Sequence, residues 1–74
     1  ANVQAFYARG VTRQKLDDFA GSLTDFGKVI DLNPRRAQAY AGRGLAKAEL
    51  GDYNGAIADL NKAVELNAED GESY

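Results

Sequence analysis

Two stretches of this chain are near copies of each other. "RGVTRQKLDDFAGSLTDFGKVIDLN" runs from Arg9 to Asn33, and "RGLAKAELGDYNGAIADLNKAVELN" runs from Arg43 to Asn67. A shift of 34 residues brings Gln4, Ala5, Arg9, Gly10, Leu16 and Asp18 onto Gln38, Ala39, Arg43, Gly44, Leu50 and Asp52. The same shift brings Gly21, Asp25, Lys28, Leu32, Asn33 and Tyr40 onto Gly55, Asp59, Lys62, Leu66, Asn67 and Tyr74. Phe6 with Tyr40, Phe19 with Tyr53 and Leu23 with Ile57 are conservative matches in the same register. Self-similarity at a fixed period of this length marks stacked supersecondary units, none of which buries its apolar face alone. The chain, at 74 residues, holds two such units and the opening of a third.

Each unit reads as two helices. Tyr53, Ile57, Leu60 and Val64 are spaced four, three and four apart, one stripe of a helix, and Phe19, Leu23, Phe26 and Ile30 repeat it. Asp18 and Asp52 stand just before these stripes, where a carboxylate accepts from unpaired N–H groups and complements the helix dipole. "LDDF" and "LGDYNG" are therefore read as tight turns between helices. Asn33–Pro34 ends the second helix, because the residue before proline is pushed out of helical geometry. The pattern predicts helices near 3–16, 19–32, 37–50 and 53–67 and an all-α chain without strands. Gly10, Gly44, Ser22, Ala56 and Ala63, with the more modest Val29, fall where neighbouring helices must approach closely, opposed by Phe6 and Tyr40. Core packing accounts for all of these positions.

Composition removes most chemistries. There is no cysteine and no histidine, so disulfides, thiolate metal sites and the commonest general base are all absent. Nine basic against eleven acidic side chains leave no broad electrostatic footprint for nucleic acid. Only the "PRR" of Pro34–Arg36 is locally basic, and it is read as a solvated turn. No apolar run approaches the roughly 20 residues of a membrane-spanning helix, and no signal peptide opens the chain. The reading is of a soluble protein with no membrane or nucleic-acid partner, the cytoplasm favoured over export. The chain begins at Ala1, so it is read as processed or as a piece of something longer.

Several short motifs fail their context. "GRGLAK" at Gly42–Lys47 half-matches a dinucleotide fingerprint but follows no strand and lacks the third glycine. "DFG" at Asp25–Gly27 copies a kinase tripeptide without any other kinase part. Asp17 and Asp18 are adjacent and point in different directions, so they make no acid–base pair. No catalytic, metal-binding or cofactor-binding residue is assigned, and the chain is read as not an enzyme. One polar pattern does stand out: Arg9 and Arg43 recur on the first helices while Asp25 and Asp59 recur on the second. A pairing is expected, either within each unit or from Asp25 to Arg43 across the seam. The alternative is that all four are solvated surface charges.

The period, the aromatic–glycine pairs Phe6/Gly10 and Tyr40/Gly44, "GDY" at Gly51–Tyr53, Ala56, Ala63 and "LNP" at Leu32–Pro34 together resemble the tetratricopeptide repeat. The first unit departs from that pattern with Asp17 for the turn glycine and Ser22 for the usual alanine, and the second has Ala68 in place of the proline. Arg9 and Arg43 stand where the family usually has an apolar residue. The resemblance spans Val3 to Tyr74. It implies one domain over 1–74, with a first repeat near 3–36, a second near 37–70 and the start of a third at 71–74. It further implies tandem helix-turn-helix units forming part of a right-handed α-solenoid, whose first helices line a concave groove for peptides or partner helices.

By that resemblance the chain is expected to be a non-catalytic protein-interaction module. Its groove would be lined by Gln4, Tyr7, Ala8, Val11 and Gln14 from the first unit and by Gln38, Ala41, Leu45, Ala48 and Glu49 from the second. Family members that grip chaperone carboxyl termini use a clamp of lysine, arginine and asparagine. The matching positions here are Tyr7, Val11 and Gly42, so that ligand is rejected. The competing reading is a structural element that self-assembles through uncapped repeat ends. The second unit has no complete successor in the sequence, so Ile57, Leu60 and Val64 are expected to form a bare apolar face, with Tyr74 at the position of the missing anchor. Copies would then dock at their C-terminal ends, exchange helices, or need the rest of a longer parent.

Overall fold

The computed structural model describes residues 2–69, and among them every regular element is a helix. The four are α1 (Val3–Lys15), α2 (Phe19–Leu32), α3 (Ala37–Glu49) and α4 (Tyr53–Glu69). Each begins or ends within two residues of where the apolar periodicity places it. Tyr74 and the expected start of a third repeat lie outside the described residues.

The loop inside each hairpin has the same construction in both units. The N–H of Asp17 donates to the Gln14 carbonyl at 3.1 Å and that of Asp18 to Arg13 at 2.8 Å. Thirty-four residues later Gly51 donates to Ala48 at 3.1 Å and Asp52 to Lys47 at 2.8 Å. This is the Schellman arrangement, which satisfies the last carbonyls of a helix by turning one residue left-handed. Asp17 (φ 64°) and Gly51 (φ 91°) are those residues. The next residue immediately caps the following helix: Asp18 Oδ1 accepts from Gly21 N–H and Asp52 Oδ1 from Gly55 N–H, both at 3.0 Å. One three-residue loop thus closes one helix and opens another. Between the hairpins, Asn33 terminates α2, and Arg36 opens α3 without a side-chain cap. Alanine stands at position 68 in place of a proline, and α4 continues to Glu69.

Short loops force neighbouring helices to be antiparallel. α1 therefore packs on α2, α2 on α3 and α3 on α4, while α1 and α3 run the same way and touch only lightly. The largest buried side chain is Phe26, on α2, 1% exposed. With Val29 and Ala39 it forms a core on which Val3, Phe6, Tyr7, Val11 and Ile30 pack. Two glycines make room for its ring. A Cβ on Gly10 of α1 would lie 3.1 Å from Phe26 Cε1, and one on Gly42 of α3 would lie 2.6 Å from Phe26 Cζ. The tip of the ring is wedged between these backbones, and burying such a side chain contributes about 2–3 kcal/mol. The small residues singled out in the sequence, Ser22, Ala56 and Ala63, are indeed buried with Val29.

The apolar stripe of α4 is bare, as expected for Ile57, Leu60 and Val64. Tyr53, Ile57, Leu60 and Val64 are 66%, 58%, 36% and 68% exposed. Its buried face consists of Ala56, Asp59, Ala63 and Leu66 instead. The cause is the number of neighbours. α2 lies between α1 and α3, so a wide arc of its surface is covered, whereas among the described residues α4 packs only on α3.

Candidate interaction surface

The repeated Arg and Asp meet within each unit. Arg9 donates from Nε to Asp25 Oδ2 at 3.0 Å and from Nη2 to Oδ1 at 2.9 Å. Arg43 does the same to Asp59, at 2.9 and 3.0 Å. These are two-pronged, charge-assisted bonds, the strong kind. The cross-seam alternative, Asp25 with Arg43, gives way to these pairs, because Asp25 already has two cations from its own hairpin. The second is Arg13, whose Nη1 lies 3.4 Å from Oδ2. Lys47, at the equivalent place in the second unit, approaches Asp59 at 3.1 Å. Arg13 and Lys47 escaped the sequence reading, although both are basic, one helical turn after Arg9 and Arg43 and 34 residues apart.

The carboxylates are buried and their cations are not: Asp25 is fully enclosed, while the Arg9 side chain is 54% exposed. For Asp59, burial pushes the carboxyl pKa upward. Hydrogen bonds from Arg43 and Lys47, with their charges, outweigh that and hold it below the ordinary aspartate value. Arg43 is held above its ordinary value, chiefly by the bond to Asp59 and against the effect of burial. The Arg9 guanidinium is raised in the same direction by its bond to Asp25 and that charge. Every buried side-chain polar atom among the described residues has a partner. These groups hold each helix pair in register.

The residues expected to line a groove on α1 and α3 differ in how open they are. Gln4, Ala8, Gln38, Leu45 and Glu49 are exposed. Gln14, Ala41 and Ala48 are half-buried, and Gln14 donates from Nε2 to the Gly42 carbonyl at 3.2 Å, tying α1 to α3. Tyr7 and Val11 pack partly into the core. The Tyr7 ring meets Phe26 edge-on with centroids 5.7 Å apart. Arg36 lies over the same ring, its guanidinium carbon 4.4 Å from the centroid. Arg36 is thus half-buried rather than a solvated turn residue. No sequence signal pointed to this stacking, because the residue 34 positions later is Asp70 and the contact is not repeated.

Among the described residues no cluster of three histidine, cysteine or acidic side chains could hold a metal. No helix among them is long and apolar enough to cross a membrane.

Residues 37–70, which hold α3 and α4, match the family model of the tetratricopeptide repeat. The second hairpin is thus a tetratricopeptide repeat. No curated protein matches the chain in sequence. The match accounts for the geometry already described: a tetratricopeptide repeat is a helix hairpin whose small residues permit close helix approach. The α1–α2 hairpin lies outside the matched residues, yet it has the same loop bonds, the same cap and the same Arg–Asp pair. Asp17 in the left-handed turn position and Ser22 in the buried small position are its departures from the second hairpin.

Proposed function

We propose that the chain is a non-catalytic module that binds an extended peptide or a partner helix of another protein along the surface shared by α1 and α3. In this reading residues 1–74 are one domain built from two repeats. The observation that carries the proposal is the neighbouring, parallel run of α1 and α3. Their exposed residues mix polar Gln4, Gln38 and Glu49 with the bare Leu45, 52% exposed, beside the small Ala41 and Ala48. Small side chains let a ligand backbone approach, amide side chains can pair with it, and an exposed leucine offers an apolar anchor. The match of residues 37–70 to a family that mediates protein–protein contacts supports the same reading.

The test begins with a random-peptide display library selected on the folded chain, followed by calorimetry on the recovered peptides. Leu45→Asp is expected to weaken binding at least tenfold while leaving helical circular dichroism and the unfolding midpoint unchanged. Tyr7→Ala should weaken binding as well, but it is no longer a surface probe. It removes a ring wedged between Phe26 and Arg36 and should cost about 2–4 kcal/mol of stability. Recovered peptides that bind Leu45→Asp as tightly as the parent would move the site to another face.

A further inference from the structure

The seam between the two hairpins is repeated, in halves, at the two ends of the molecule. Across the seam α2 presents Phe26 and Ile30, and α3 presents Ala39 and Gly42. Thirty-four residues after the first pair stand Leu60 and Val64 on α4; thirty-four before the second stand Ala5 and Ala8 on α1. Phe26 is 1% exposed and Ala39 fully buried, whereas Leu60 and Val64 are 36% and 68% exposed and Ala5 and Ala8 are both exposed. Among the described residues, α1 and α4 therefore each carry one uncovered half of an interface that α2 and α3 close between them.

The two halves fit in volume and in charge. At the seam a Cβ on Gly42 would lie 2.6 Å from Phe26 Cζ, so a phenylalanine there requires a glycine opposite. At the ends the large residue shrinks to Leu60, which has no ring tip, and the glycine grows to Ala8 by one methyl group. The sum is conserved, as packing at interior density requires. Asp31 of α2 acts electrostatically on Arg43 of α3 across the seam. Their counterparts are Glu65 of α4, 60% exposed, and Arg9 of α1, 54% exposed. Opposite charges recur at matching places, although in the isolated chain Glu65 accepts from Lys62 at 3.1 Å and Arg9 binds Asp25. On the α1 side a cleft of about 300 Å3, lined by Asn2, Ala5, Phe6 and Arg9, stands open for side chains of a covering helix.

We infer that α4 of one molecule docks on α1 of a second copy in the geometry by which α2 docks on α3, so that copies join head to tail. The occupant of the apolar α4 face is thus the small-residue face of another copy's first helix. Such a contact uses two different surfaces of the same chain, and each added copy offers a fresh α4 face, so growth is open-ended rather than closed at a pair. Copies pairing through two α4 faces would instead leave the α1 cleft uncovered. This contact shares Ala8 with the proposed α1–α3 ligand surface but not Leu45.

Sedimentation equilibrium of the whole chain, over a roughly hundredfold range of concentration, tests the inference. The average mass should rise from the 8.0 kDa of one chain and pass twice that value without levelling. Two further variants separate the geometries. Ala5→Glu blocks the head and Val64→Glu blocks the tail, both at exposed sites, with retained folding checked by helical circular dichroism. Each alone should stay monomeric, and an equimolar mixture should form a one-to-one dimer and stop there. Leu45→Asp should assemble like the parent, which keeps failure here distinct from failure of the groove reading. A parent chain that stays at the monomer mass throughout, an Ala5→Glu variant that still dimerises through its tails, or a mixture that does not associate would each overturn the inference.

Discussion

Arg43 and Asp59 should be coupled, by an amount that the geometry brackets. Arg43 contacts both carboxylate oxygens, Lys47 adds a second cation at 3.1 Å, and the three side chains are 25%, 8% and 22% exposed for Arg43, Asp59 and Lys47. Fully exposed pairs are worth about 0.2–1 kcal/mol, while breaking a buried one costs about 3–5 kcal/mol. A carboxylate this enclosed with cations this open lies between the two, and a coupling of about 1–2 kcal/mol is expected. The single substitutions should be unequal. Asp59→Asn leaves Arg43 and Lys47 facing each other and should cost about 2–3 kcal/mol; Arg43→Met keeps the stem beside Tyr40 and leaves Lys47 to neutralise Asp59, costing about 1–2 kcal/mol. Urea unfolding followed by circular dichroism on the parent, both single variants and the double variant gives the cycle. A second cycle on Arg43 and Asp25 should come out additive. The pH dependence supplies an independent check. The folded carboxyl of Asp59 lies below its unfolded value, so its contribution is fully present above about pH 4 and is lost as pH falls through the folded pKa. Asp59→Asn should therefore flatten the acid limb of stability. A coupling below the additivity limit of about 0.5 kcal/mol, or a larger coupling of Arg43 to Asp25 than to Asp59, would refute the reasoning.

Two glycines in the first three helices should respond oppositely to alanine. Gly42→Ala pushes a methyl group into the Phe26 ring and should cost about 1–3 kcal/mol, whereas Gly27 of α2 has nothing within 4 Å of an added Cβ and should gain about 0.5–1 kcal/mol of helix propensity. Equal signs in urea midpoints would mean that Phe26 does not fill the space beneath α3. Asp17→Gly should stabilise by up to about 1 kcal/mol, since a residue with a Cβ is held at φ 64° where the second hairpin uses a glycine. Gly51→Asp should lose a similar amount, and no change in either thermal midpoint would place the strain elsewhere.

Much of this was legible because the chain carries its own internal comparison. Helix ends follow from residues whose physics is local: Asp18 and Asp52 as caps, Asp17 and Gly51 within tight turns, Pro34 as a stop. The Arg–Asp pattern was visible as a repetition, but not its pairing, since the sequence places Asp25 equally well beside Arg9 or Arg43. Contacts made once, such as Arg36 on Tyr7, left no trace in a comparison that registers only what recurs. The same limit applies to the α1–α3 surface. Tyr7 and Val11 stand at positions expected to face a groove, yet much of each is occupied by the core beneath, which depends on how α2 tilts beneath them.

The two second helices separate what sequence determines from what neighbours determine. α2 and α4 carry the same stripe at the same spacing, Phe19, Leu23, Phe26 and Ile30 against Tyr53, Ile57, Leu60 and Val64, and periodicity marks both equally. One stripe is wholly or half-buried and the other is exposed. Amphipathicity therefore specifies which face a helix will bury when covered, and not whether anything covers it. The α4 helix has a second, narrower face in Ala56, Asp59, Ala63 and Leu66, and that face suffices to hold it on α3. Small residues there let the backbones close on each other, and the Asp59 pair fixes the register. Tyr53, Ile57 and Val64 are thus largely left out of the packing that holds the second hairpin together. Their retention at the same spacing as the covered stripe of α2 is what a surface that joins another helix would need, and a stretch serving only the hairpin's own fold would gain from polar residues at Ile57 and Val64.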